Sequence, residues 1–388
     1  MDCEVLVVGA GPAGSTAARL LAEEGIETVL IEKNLSFNKP CGGGIPSAGL
    51  EEFGILKKIQ QSISFNRVNK IKIVPPLSEP LNINLEGGEI LIFERLAFDS
   101  FLRSLAEKSG VEIIEAELIN IDLNKKNPCS TVKKAKGETF KINSKYIIAA
   151  DGINSKINLI INSDKPDYMW TVSLHLSESF SEKKDTCEFW FGNAHASFFY
   201  SWVFPGVNYL SVGTGAKSAD KLKAFMDNFL KKRFKNVDIN SFKLRAYKIP
   251  LWERRKFFKG NILFCGDALG TVMPVTFEGI YYAMKSAQFA SEAIKQNKLK
   301  LYEKLWEERF LKHFSMMKKF QEIMFGDDEK IDQWLNIHKN KTIQQLAMAF
   351  WLRKEHGKQL FPLYLKAFGS FISRFAISQF RNRLKAEG

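Results

Sequence analysis

Cys41 sits in the stretch Asn38-Lys-Pro-Cys-Gly-Gly-Gly-Ile-Pro46, between a proline and three glycines. Glycines there let the backbone bend sharply or approach a ligand closely. An unperturbed thiol is mostly protonated near neutral pH, so Cys41 is a candidate proton donor; it is equally a small residue chosen for fit. A second group of candidates is Tyr200, Trp202 and Phe204, which alternate along Tyr200-Ser-Trp-Val-Phe-Pro205. On a strand they share one face, either as core or as an apolar wall for a ligand. His175 and His195 are further proton-donor candidates, although a lone histidine on a strand is more often structural. Three carboxylates, Glu32, Asp151 and Asp267, and one guanidinium, Arg95, each stand at the end of an apolar run. A carboxylate at a strand end can accept hydrogen bonds from a polyol, and an arginine can fork onto a phosphate.

The elements that position these groups begin at the first residues. Val5-Leu-Val-Val8 reads as a buried parallel strand. Gly9-Ala-Gly-Pro-Ala-Gly14 follows at once, then a helix over Ser15 to Glu24, then a strand at Val29-Leu-Ile31 closed by Glu32. Strand, G-x-G-x-x-G, helix, strand and acid form the dinucleotide-binding unit. Gly9 makes the tight turn, Gly11 lets the backbone reach a pyrophosphate, and Gly14 lets helix pack on strand. The helix N-terminus favours the anion, and Glu32 can accept from ribose hydroxyls.

Three later stretches complete the pattern. Glu94-Arg-Leu-Ala-Phe-Asp-Ser-Phe-Leu102 places Arg95 before a helix. Ala149-Ala-Asp-Gly-Ile-Asn-Ser155 follows the strand Tyr146-Ile-Ile148. Ile262-Leu-Phe-Cys-Gly-Asp-Ala-Leu-Gly270 is again a strand, then Gly-Asp and a small-residue turn. Together these resemble the flavoprotein class that includes p-hydroxybenzoate hydroxylase and the geranylgeranyl reductases. The resemblance implies FAD, with Asp267 on its ribityl chain and Arg95 on the pyrophosphate or adenosine side.

Y-x-W-x-F-P at 200–205 followed by Gly213-Thr-Gly215 is similar to the substrate-domain signature of geranylgeranyl reductases, and Lys39-Pro-Cys-Gly-Gly-Gly-Ile-Pro46 to another segment of theirs. Gly266-Asp-Ala through Glu278-Gly-Ile-Tyr281 resembles the plant and photosynthetic-bacterial branch, departing from it at Pro274-Val-Thr-Phe277. The likeness covers about residues 1–295. It implies cofactor contacts at Gly9, Gly11, Ala13, Gly14, Glu32, Lys33, Cys41, Gly42, Gly43, Arg95, Asp151, Asp267, Gly279 and Ile280. It also implies substrate contacts at Tyr200, Trp202 and Phe204, with Cys41 catalytic and no metal.

The activity so implied is saturation of C=C bonds in a polyprenyl chain, by hydride from reduced flavin plus a proton. The substrate is a prenyl diphosphate, a prenylated lipid or a menaquinone side chain, and NADPH or another reductant is the electron donor. The rival within the class is a flavin-dependent monooxygenase acting on an aromatic or lipid.

The implied fold is mixed α/β: a Rossmann-type FAD-binding domain, an inserted antiparallel-sheet substrate domain and a helical C-terminal region. The expected boundaries are 1–65, 90–165 and 255–295 for the discontinuous FAD domain, 66–89 and 166–254 for the substrate domain, and 296–388 for the helical region.

Composition sets the remaining expectations. Five cysteines, Cys3, Cys41, Cys129, Cys187 and Cys265, are an odd number at wide spacing with no C-x-x-C, which argues against disulfides and zinc and for a reducing compartment. No signal segment and no membrane-length apolar run are seen, so a cytoplasmic location is expected. Formal net charge is +13, and residues 339–388 hold ten Lys/Arg against two Glu. Within that tail Phe361, Tyr364, Leu365, Phe368, Phe371, Ile372 and Phe375 recur at helical spacing opposite basic residues. A basic amphipathic helix reads as a peripheral contact with the inner membrane surface, or as a helix docked on the body. No nucleic-acid recognition motif accompanies the charge, so no nucleic acid is expected.

Overall fold

A computed structural model describes residues 1–355 and 360, apart from 125, 126 and 236. The expected tail helix at 361–375 lies outside the described residues.

The first of two large sheets contains β1 (Asp2–Val8), β2 (Thr28–Glu32), β8 (Glu112–Asp122), β9 (Cys129–Lys134), β10 (Thr139–Ala149), β16 (Phe258–Lys259) and β17 (Ile262–Phe264). Its parallel part runs β8-β2-β1-β10-β17. Val5, Leu6 and Val7 of β1 are fully buried, as both-face coverage by helices requires. β8 and β10 are long enough to leave the parallel part and pair with β9 as an antiparallel meander. Helix α1 (Pro12–Glu23) starts with proline in its first turn, where the missing N–H is no loss. It packs against α4 (Arg95–Lys108) and α7 (Ile280–Lys295). The chain leaves β1 toward β2 on one side and has β10 on the other. The opening between them is the switch point where doubly wound sheets bind ligands.

The second large sheet contains β5 (Lys70–Val74), β6 (Leu81–Asn84), β11 (Tyr168–Ser177), β12 (Thr186–Trp190), β13 (Ser201–Pro205), β14 (Tyr209–Ala216) and β15 (Arg245–Pro250). It is antiparallel in every ladder but one: β5 and β12 run parallel. Alternation divides its faces. Val203 and Val212 pack toward α6 (Leu222–Arg233) with Met226 and Phe229. Trp202 and Phe204 turn the other way, toward Tyr200, Phe277 and Phe325. A three-stranded sheet of β3 (Gly44–Pro46), β4 (Asn66–Val68) and β7 (Ile90–Ile92) joins the two, with α2 (Ser47–Glu52), α3 (Leu56–Ser62) and α5 (Lys156–Ile160) in the connections.

After α7 the described chain is helical: α8 (Lys300–Trp306), a π-helical turn over Glu307–Leu311, α9 (Lys312–Met324), α10 (Asp328–Asn336) and α11 (Lys341–Trp351). Phe314 packs edge-on against Trp306 and Phe310, and Phe310 and Phe314 pack edge-on against Tyr282 of α7. Phe325, between α9 and α10, reaches the ring-bearing face of the second sheet. Among the described residues no helix is long and apolar enough to cross a membrane.

Candidate functional site

One cavity of about 560 Å³ runs from the glycine turn after β1 to the ring-bearing face of the second sheet. At the first end Gly9 has φ 102°, and a Cβ there would lie 2.3 Å from the Ala150 carbonyl oxygen. A Cβ on Gly14 would lie 1.7 Å from the Gly9 oxygen. Gly11 has nothing within 4 Å of its missing Cβ and faces the cavity. No side chain caps the N-terminus of α1, so its first N–H groups remain available to an anion. Glu32 is fixed beside them: its carboxylate accepts from Ala10 N at 2.9 Å and Asn34 N at 3.1 Å.

The charged groups around this end are arranged for a polar ligand. Asp151 accepts from Lys156 N at 2.7 Å and Ile157 N at 3.1 Å through Oδ2, while its buried Oδ1 has no partner. Burial pushes its carboxyl above the usual range. Lys39 Nζ donates to Asp267 Oδ2 at 2.5 Å. Arg95 is buried and forks onto Asp99 at 3.0 and 3.2 Å. Burial opposes its charge, and Asp99 and Cys41 together offset this, so its pKa is raised. An uncapped helix start, a cradle closed to any Cβ and an orphan carboxylate oxygen fit the pyrophosphate and hydroxyls of FAD.

At the other end the glycines face rings. A Cβ on Gly213 would lie 2.1 Å from the Trp202 ring, one on Gly215 2.5 Å from Phe199, and one on Gly42 2.6 Å from Phe204. Each ring therefore lies closer to the glycine backbone than any side chain would allow. Trp202 Nε1 donates to Ser211 Oγ at 3.3 Å, and Ser211 Oγ donates to the Cys41 carbonyl at 3.4 Å. Tyr200 Oη donates to the Thr276 carbonyl at 2.8 Å, and Phe277 lies 3.9 Å from Phe199, centroid to centroid. The loop bearing Cys41 crosses between the two ends. Arg245 holds the Asn38 carbonyl, Asp267 holds Lys39, Ser211 holds Cys41, and Gly43 N donates to Cys41 Sγ at 3.4 Å.

The family described as FAD binding domain matches residues 2–294. Geranylgeranyl diphosphate reductase of Synechocystis is 31% identical, over 91% of this chain and 93% of its own length. The chain belongs to the geranylgeranyl reductase family of FAD-dependent flavoproteins. Digeranylgeranylglycerophospholipid reductase of Methanocaldococcus jannaschii is 30% identical, over 84% of this chain and 88% of its own. A geranylgeranyl bacteriochlorophyll reductase-like structure from Thermoplasma acidophilum superposes with a TM-score of 0.76 at 26% identity, covering 87% of this chain and 91% of its own.

In this family member most residues singled out from the sequence line the one cavity. Gly9, Gly11, Ala13, Glu32, Lys33 and Arg95 do so, as do Asp151, Asp267, Gly279 and Ile280. Cys41 and Gly42 line it between them, and Tyr200, Trp202 and Phe204 line its apolar end. Gly14 and Gly43 stand behind it. Gly14 lies under Gly9, and Gly43, at φ 77°, lies against the Phe93 carbonyl. The structure places Arg95 against Asp99 and beside Cys41, and pairs Asp267 with Lys39, which sequence reasoning had not joined. Neither candidate histidine lines the cavity. His195 is buried, with Nδ1 2.8 Å from Ser201 Oγ, and burial, then Lys232, pushes its pKa down to about 4. His175 stacks on Tyr209 at 4.3 Å, its pKa lowered by burial and then Arg245. Sequence reasoning also missed Phe199, Ser211 and Phe277. The neighbouring run Phe198-Phe199-Tyr200 was the available signal for the first; the other two depend on long-range packing.

Proposed function

We propose that this protein saturates C=C bonds of a geranylgeranyl-type chain. The carrying observation is the continuity of the cavity from the α1 N-terminus, past Cys41, to rings held on Gly42, Gly213 and Gly215. Residues 1–65, 90–165 and 255–295 are read as holding the cofactor, and 66–89 and 166–254 as receiving the substrate. The α1 N-terminus would hold the pyrophosphate of FAD, Glu32 the ribose hydroxyls and Asp267 the polyol chain. FAD, when bound and reduced, supplies the hydride.

The remaining work belongs to the chain. An isolated alkene is not activated by a carbonyl, so a proton must reach one carbon as positive charge develops on the other, which takes the hydride. Cys41 Sγ–H would deliver it, from a loop held at Asn38, Lys39, Cys41 and Gly43. Trp202, Phe204, Tyr200 and Phe199 exclude water and hold a flexible chain in reach, and their π faces favour transient positive charge. By their names, the two relatives reduce geranylgeranyl chains attached to different head groups, a diphosphate and a glycerophospholipid. A ring-lined cavity reads the chain, and this supports acceptance of a prenyl diphosphate, a prenylated lipid or a menaquinone side chain. NADPH or another reductant would reload the cofactor, and a lipid-embedded substrate would be met at the membrane surface.

The test is anaerobic turnover of the chemically reduced holoenzyme with geranylgeranyl diphosphate and with a geranylgeranylated glycerophospholipid, read by mass spectrometry. The expected product gains the mass of two hydrogens per bond saturated. A product that forms only with O₂ and carries an added oxygen makes the protein a monooxygenase instead.

A further inference from the structure

The loop Met273–Gly279 supplies Phe277 and Gly279 to the cavity and leads into Ile280 at the start of α7. Its backbone is strained. Val275 has φ 73° and Phe277 φ 54°, in the left-handed region that β-branched and bulky residues avoid. Such conformations persist only where surrounding contacts over-determine them. Within the loop Phe277 N donates to the Met273 carbonyl and Met273 N to the Glu278 carbonyl, each at 3.0 Å, and from the ring wall Tyr200 Oη donates to the Thr276 carbonyl at 2.8 Å.

A further restraint arrives from the far end of the described chain. Lys354 Nζ donates to Glu278 Oε1 at 2.7 Å, with the two side chains 2% and 14% exposed. The ammonium also lies 4.9 and 5.5 Å from the Tyr281 and Tyr282 rings. Lys354 itself has φ 56°. The residues before it seat it: Leu352 packs on Gly88 and Arg353 on Gly87, and Arg353 donates to the Glu86 carbonyl at 3.3 Å. The nearby Glu52 is engaged by Lys285, Arg309 and Tyr281. A lysine is buried this completely only when its charge is met.

We propose that Lys354 is a positioning residue for the cofactor site. Through Glu278 it holds the strained loop in its cavity-lining form and so couples docking of α11 and its C-terminal turn to FAD binding. This rests on the FAD reading above. Linkage makes the coupling reciprocal: FAD steadies the 341–355 segment by as much as the docked segment favours FAD.

The experiment measures FAD affinity by fluorescence titration, thermal stability, and hydrogen exchange of residues 341–355 with and without FAD. It compares wild type, Lys354→Met, Lys354→Arg and Lys354→Met/Glu278→Gln. FAD is expected to slow exchange across 341–355 in the wild type. Lys354→Met should weaken FAD binding about tenfold or more and abolish that protection. Lys354→Arg, which keeps the charge, should recover part of both. The double variant leaves no bare carboxylate, so it should regain stability but not FAD affinity, and it decides the matter if Lys354→Met alone does not fold. Wild-type FAD affinity and protection in the double variant overturn the proposal alone. A wild-type protein that takes up no FAD overturns the cofactor reading and the proposal with it.

Discussion

At the β1 end of the cavity the glycines face backbone, whereas at the β13–β14 end they face rings. Gly9 and Gly14 are closed in by the carbonyls of Ala150 and Gly9; Gly213, Gly215 and Gly42 are closed in by Trp202, Phe199 and Phe204. The same residue type solves two problems. At the first end two main chains must nearly touch so that a helix start can meet a phosphate. At the second, broad side chains must press close to the main chain so that the space beyond them stays open. Backbone cannot yield to a new methyl group, and a ring can, by swinging into the cavity. The two ends should therefore fail differently.

The largest effect is expected from Gly14→Ala. Its Cβ would stand 1.7 Å from the Gly9 oxygen, so α1 must move as a body and carry its N-terminus off the pyrophosphate position. FAD affinity should fall by about a hundredfold or more, roughly 3 kcal/mol, with a lower Tm. Titration of the apoprotein measures it, and retention of wild-type affinity would break the contrast at its stronger end.

Next comes the seam between the ends. Cys41→Ala should leave FAD binding in place and lower kcat by about a hundredfold, the lower range for a lost proton donor. Cys41→Ser should keep part of the rate. Full single-turnover rates in both variants would show that the thiol is packing and that only the glycines beside it matter.

Gly213→Ala tests the yielding end. The Trp202 ring must leave a position 2.1 Å from the new Cβ and intrude on the cavity. FAD affinity should hold while KM for the prenyl substrate rises about tenfold, in the range of one overpacked methyl group. Adding Trp202→Phe should restore part of the loss by shrinking the displaced ring. A fall in FAD affinity equal to the change in KM would erase the distinction between the ends.

The same difference explains what could be read from the sequence. The turn at Gly9–Gly14 and the Gly-Asp at 266–267 are local: the backbone geometry is demanded by residues a few positions apart, so their spacing records it. The alternation of Tyr200, Trp202 and Phe204 likewise records a shared face. What makes that face a site is not local. Gly42 lies under Phe204, Lys39 reaches Asp267 and Lys354 reaches Glu278. No period or motif announces these pairs, because each depends on how separate sheets and helices stack. Arg95 shows the limit from the other side. Its place at the start of a helix is legible, but its fork onto Asp99 one helical turn on is not, since nothing in the spacing favours that carboxylate over a phosphate.

The smallest effect concerns the layer beneath the rings. His195 carries its hydrogen bond to Ser201, which donates on to Thr214 at 2.9 Å, and its Nε2 is buried without a partner. Its pKa is about 4 in the folded chain, against an ordinary value of 6.5. Between those values the unfolded chain binds a proton that the folded chain refuses, so stability falls as pH drops from about 6.5 towards 4. The loss is at most about 3 kcal/mol at its end. His195→Gln removes this titration and should flatten the pH dependence of urea unfolding across that window. Near pH 7, where the wild-type ring is neutral, it should leave FAD affinity unchanged. An identical slope in both proteins would place the acid sensitivity elsewhere. A flattened slope would show that the ring-bearing end depends on an uncharged layer beneath it, whereas the phosphate-facing end is built from charges and N–H groups.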